Sequence, residues 1–159
     1  MENSNKEIII LIDMLNKKSD LLSEILNITH KQTDAIKDSK FDKLDNLIMI
    51  KQTYIDKIDN IDASYAKQFS KIKNIYNVGE ISQIDIENDI KIKFKQLTQQ
   101  LHEKAENIFK IDKKNSELIN NNFQQVKSKL KDIKQGKKVT SNYYKQSIQT
   151  EGYFIDKGR

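Results

Sequence analysis

Two histidines, scattered carboxylates and four glycines are the raw material for any chemistry in this chain. His30 and His102 stand far apart, and neither an HExxH nor a paired HxxxH spacing occurs, so no zinc site is spelled out. Cysteine is absent, which removes thiol nucleophiles, disulfides and thiolate metal sites. Gly79, Gly136, Gly152 and Gly158 are isolated, so there is no glycine-rich loop to cradle a phosphate. The carboxylates alternate with lysines along helical faces, which is the pattern of a solvated surface. No catalytic, cofactor-binding or metal-binding set emerges, and an enzyme is not expected.

Recognition chemistry is better represented. Ile119, Phe123, Val126, Leu130 and Ile133 follow one another at steps of three and four, which places them on one face of a helix. Beyond them, residues 137–159 lose helical period and carry Lys137, Lys138, Tyr143, Tyr144, Tyr153 and Phe154 among polar residues. Disordered spacers are normally poor in aromatics, so this tail reads as a second contact region. Lysines interleaved with aromatics can stack on single-stranded nucleic acid. Here six basic residues from Lys134 to Arg159 face Glu151 and Asp156, an excess of four charges out of the chain's five. That footprint is weak for phosphate binding, and nucleic acid is not an expected partner. Stable membrane insertion is not expected either. The apolar cluster Ile8 to Ile12 is interrupted by Asp13, and the stripe lacks tryptophan and a strongly basic flank. With no leader of the secretory kind, the expected location is cytoplasmic.

Long helices must position these residues. The chain has no proline, 36% hydrophobic residues and 32% charged ones, a balance that suits narrow buried seams better than a thick core. Three serine–acid pairs, Ser4 with Glu7, Ser39 with Asp42 and Ser82 with Asp85, resemble capping boxes and mark three expected helix starts. The first helix, over about 5–36, aligns Ile8, Leu11, Leu15, Leu22, Ile25, Thr29 and Ile36. The second, over about 40–77, carries Phe41, Leu44, Ile48, Ile55, Ile58, Tyr65, Phe69, Ile72 and Tyr76, interrupted by Lys51 and Asp62. Leu47, Tyr54, Ile61 and Ile75 widen that stripe, so the helix can touch two neighbours, and Asn77-Val78-Gly79 is the expected stop. The third, over about 82–135 with Gly136 as its stop, carries Ile90, Phe94, Leu97, Leu101, Ala105, Ile108, Ile111, Leu118 and Ile119. Asn115 falls on or near this seam, where a buried asparagine can set register.

Short turns make consecutive helices antiparallel. Folding the third helix back near residue 79 sets Ser82 beside Asn77, so the start of the second helix meets residue 119. Residues 120–135 then project past the bundle by ~24 Å at 1.5 Å per residue. The expected fold is all-α, an elongated antiparallel three-helix bundle or coiled coil over residues 1–136, with an overhanging C-terminal helix and a flexible tail over 137–159. A break at Asn120-Asn121-Asn122 that folds the end back, or pairing between copies, would also cover the stripe. The oligomeric state stays open.

Three segments resemble the FlgN family of flagellar type III export chaperones. The first is "LLSEILNITHKQTDAIKDSKFDKLDNLIMIKQTYIDKIDNID", Leu21 to Asp62, similar to the family's leucine-rich opening helix, acidic break and second helix with a central lysine, here Lys51. The second is "KKNSELINNNFQQVKSKL", Lys113 to Leu130, and the third is Tyr143 or Tyr144 followed by "GYFIDKGR". The resemblance implies a cytoplasmic chaperone that holds the hook-associated junction proteins unpolymerised by binding their C-terminal helical segments. Ile119, Phe123, Val126, Leu130 and Ile133 are the matching client face. It also implies docking at the export gate protein FlhA through Tyr143 or Tyr144. A FliJ-like or FliT-like coiled-coil component, or a structural homo-oligomeric coiled coil, is the alternative.

Overall fold

The computed structural model describes residues 2–132, with side chains through residue 129. Helix α1 spans Glu2–Lys37, α2 spans Phe41–Tyr76 and α3 spans Asn88–Asp132, with a single 3-10 turn at Ile81–Gln83. No strand occurs among the described residues. The protein is an all-α helical bundle, as its apolar periodicity predicts.

The three serine signals act differently from expectation. Ser39 does not cap α2 but ends α1, with a left-handed backbone at φ 55°. Its N–H donates to the Ile36 carbonyl at 3.1 Å while Lys40 N–H donates to the Ala35 carbonyl at 2.8 Å, the paired bonds of a Schellman stop. Asn77, not Gly79, closes α2 in the same way: its φ is 52°, and Val78 N–H donates to the Lys73 carbonyl at 3.1 Å. Asparagine is the residue after glycine that best tolerates this conformation. Ser4 lies inside α1, and its hydroxyl donates to the Asp85 carbonyl at 2.7 Å. Glu7 is correspondingly free to accept from Gln68 Nε2 at 2.6 Å.

The third helix starts six residues later than expected, at Asn88. Glu80 and Gln83 form the capping box instead of Ser82 and Asp85, and it encloses only the 3-10 turn. Ile84 and Ile86 then alternate in an extended stretch, and burying both with Ile81 is what a helix over this segment would forfeit. The Asn5 carboxamide fastens the actual start of α3. Its Oδ1 accepts the Glu87 N–H at 3.0 Å and its Nδ2 donates to Glu87 Oε1 at 3.1 Å.

The chain divides into two compact units, Met1–Ile25 with Thr53–Lys104, and Leu26–Gln52 with Ala105–Arg159. In the first, α1 contributes Ile8, Leu11, Leu15, Leu22 and Ile25 to the core, against Ile58 and Ile72 of α2 and Leu97 and Leu101 of α3. Lys18 meets Asp62 at 2.7 Å, and Lys104 donates to Ser19 Oγ at 2.7 Å, which sets α1 antiparallel to α2 and parallel to α3. The second unit buries Ile28, Ile36, Leu44, Leu47, Ile108, Ile119 and Phe123 around a layer of polar side chains.

Candidate partner-binding face and the polar layer beside it

The expected client face begins on residues that this structure covers. Ile119 is 2% exposed and Phe123 8%, so neither lacks a neighbour within the chain, contrary to the expected overhang from Asn120 onward. The cause is register. In the second unit Lys51 of α2 lies against Asp112 of α3. Phe41, ten residues before Lys51, is thereby set opposite Asn122, ten residues after Asp112, rather than opposite Leu118. Asn122 Nδ2 donates to the Ile36 carbonyl at 3.4 Å, and Ser39, Phe41, Ile119, Phe123 and Val126 share a cavity of about 190 Å³. The α1–α2 turn therefore covers about one more helical turn of α3 than pairing from residue 79 predicts. Asn120-Asn121-Asn122 do not break the helix, which continues through Asp132.

Exposure of the stripe starts at Val126, which is 38% exposed. Leu130 continues α3 at the next seam position. Ile133, Tyr143 and Tyr144 lie outside the described residues, as does the tail from 137 onward. His30 and His102 are both exposed, and no group of three metal-ligating side chains occurs among the described residues.

The register is held by a polar layer that sequence reasoning saw only in part. Lys51 Nζ lies 2.6 Å from Asp112 Oδ1 and donates to Gln32 Oε1 at 3.3 Å. Both charged side chains are only 2% exposed. Burial pushes the Lys51 ammonium below the usual lysine range, opposed by the Asp112 charge and hydrogen bond. Burial likewise pushes the Asp112 carboxyl up, opposed by Lys51. One helical turn along α3, Asn115 Oδ1 accepts from Thr33 Oγ1 at 2.6 Å and its Nδ2 donates to the Thr29 carbonyl at 3.3 Å. Asn115 thus occupies the seam position expected of it. Asp112 was missed because Ile111 beside it is apolar. The signal was nonetheless present, since Ile108, Asp112, Asn115 and Ile119 keep the seam's steps of four, three and four.

An all-α bundle whose second helix carries Lys51, buried eleven residues into α2, agrees with the helices and the lysine that the first resembling segment points to. The FlgN protein family matches the chain over residues 1–152. The chain belongs to the FlgN family. FlgN-family proteins are flagellar export chaperones that bind flagellar substrates, and the family is not one of enzymes. No curated protein and no solved structure matches the chain. Among the described residues no helix is long and apolar enough to cross a membrane.

Proposed function

We propose that this FlgN-family chain is the export chaperone of the hook–filament junction proteins. It binds their C-terminal helical segments in the cytoplasm, prevents their premature polymerisation and delivers them to the export gate protein FlhA. The observation that supports this reading is the emergence of the α3 seam from cover at Val126, directly after the buried Phe123. From there the sequence carries the same stripe through Leu130 to Ile133. A client helix laid along it would extend the packing that Ile119 and Phe123 already make with the α1–α2 turn. Covering Val126, Leu130 and Ile133 contributes ~1.5–3 kcal/mol each at full burial, before the cost of ordering the client.

Tyr143 and Tyr144 are the proposed contacts to FlhA. Their separation from the client face along the chain leaves both partners able to bind at once. The test is co-purification with the C-terminal segments of the junction proteins encoded in the same genome. Val126→Asp with Leu130→Asp is expected to abolish recovery of the client while the circular dichroism spectrum stays helical. Undiminished recovery would sink the site. Tyr143→Ala with Tyr144→Ala should leave the client bound and remove retention on FlhA; loss of the client instead would contradict the division of labour.

A further inference from the structure

The unit formed by Met1–Ile25 and Thr53–Lys104 contains an open apolar groove of about 710 Å³. Its walls are Phe69 of α2 and Phe94 and Thr98 of α3, and Ile81 and Ile86 of the linker close one end. Phe69 and Phe94 are half-buried although both sit on the core-facing stripes of their helices. Tyr65 stacks on Phe69 with ring centroids 5.7 Å apart, which holds that wall in place. Thr98 has its hydroxyl spent on the Phe94 carbonyl at 2.8 Å, so it presents mainly its methyl group. Phe94, Thr98 and His102 form a row at steps of four along α3, the kind of ridge that receives the side chains of another helix.

The rim decides what kind of helix fits. Lys91 and Lys95 line the α3 side, and Lys73 lies over the Phe69 ring at 5.0 Å from its centre. Glu80, the acidic residue at the groove, accepts from Ser82 Oγ at 3.2 Å and belongs to the capping box of the 3-10 turn. A basic rim opposes a second copy, whose symmetric contact would bring lysines to lysines. It equally opposes the chain's own 134–159 segment, which carries four net positive charges. A small ligand would need convergent polar groups inside the cleft, and the wall is aromatic and aliphatic.

We propose that this groove docks an amphipathic helix of another protein, with aliphatic residues on its inner face and carboxylates along its flank. The site is separate from the α3 end, and it stands or falls independently of the client reading. The probes are two synthetic peptides of about 18 residues with leucines at helical spacing, one flanked by glutamates and one by lysines, titrated onto the full chain by fluorescence anisotropy. The glutamate peptide is expected to bind at least about tenfold tighter at physiological salt. Thr98→Glu, at an exposed position, should weaken it about tenfold or more by placing a charge in the groove. Lys91→Glu with Lys95→Glu should invert the preference between peptides, and Val126→Asp should change neither. Equal binding of the two peptides, indifference to Thr98→Glu, or loss with Val126→Asp would each overturn the proposal. So would light scattering that shows a dimer dissolved by Thr98→Glu, since the occupant would then be a second copy.

Discussion

Lys51 and Asp112 show how much a single buried charge demands of its partner. Removing an ammonium and a carboxylate from water costs several kcal/mol each, and the 2.6 Å contact returns that only while both are present. Lys51→Met should therefore lower stability by ~3–5 kcal/mol in urea melts, because Asp112 is left charged and buried. Lys51→Met with Asp112→Leu should recover most of the loss. A single variant within about 0.5 kcal/mol of the parent would show that the pair carries no such coupling. Tyr65 gives the pH signature. Burial pushes its hydroxyl from 10.0 up to about 12. The unfolded chain then releases that proton first as pH rises. Its contribution is fully present below pH 10 and is lost between pH 10 and about 12. Tyr65→Phe should remove that part of the alkaline destabilisation; an unchanged pH profile would refute the assignment.

At the scale of elements, the helix stops and the end of α3 are where the physics is most exposed. Ser39 holds a left-handed backbone that costs a side chain with a Cβ about 1 kcal/mol. Ser39→Gly should accordingly raise stability by ~0.5–1 kcal/mol, read as an increase in the urea midpoint at constant slope. A decrease would mean that the serine side chain does more than tolerate the turn. Phe123 and Val126 lie on the same stripe of α3 but on opposite sides of its emergence from cover. Phe123→Ala should destabilise the fold by ~3 kcal/mol, at the lower end for phenylalanine because a cavity already lies beside it. Val126→Asp should leave stability within about 0.5 kcal/mol and act on client binding alone.

For the molecule as a whole, the prediction concerns what a partner protects. Hydrogen exchange of 119–135 should slow strongly when a junction-protein segment binds, with the larger gain after Val126, because Ile119 and Phe123 are already covered. Protection confined to residues 65–102 would place that partner in the groove of the first unit instead. Net charge has a limited role. Of the chain's five excess positive charges four fall after residue 133, too few to give a general affinity for polyanions.

Helix content and seam identity were legible in the chain itself. Ile8, Leu11, Leu15, Leu22, Ile25, Thr29 and Ile36 are all buried as their spacing predicts, because a helix converts steps of three and four directly into one face. Asn115 was legible for the same reason, and so was membership of the FlgN family, whose match over residues 1–152 takes in the segments Leu21 to Asp62 and Lys113 to Leu130. The stops were less so. Ser39 and Asn77 are short polar residues that can start a helix or end one, and only the backbone conformation distinguishes the roles. Register and cover belonged to the tertiary structure. Periodicity says which residues share a face, but not how far one helix slides along another. That distance is set by which polar groups find each other in the core, here Lys51 with Asp112 and Asn115 with Thr29 and Thr33. The same pairing moved Ile119 and Phe123 from an exposed stripe into the core and left Val126 as the first residue free to meet a partner.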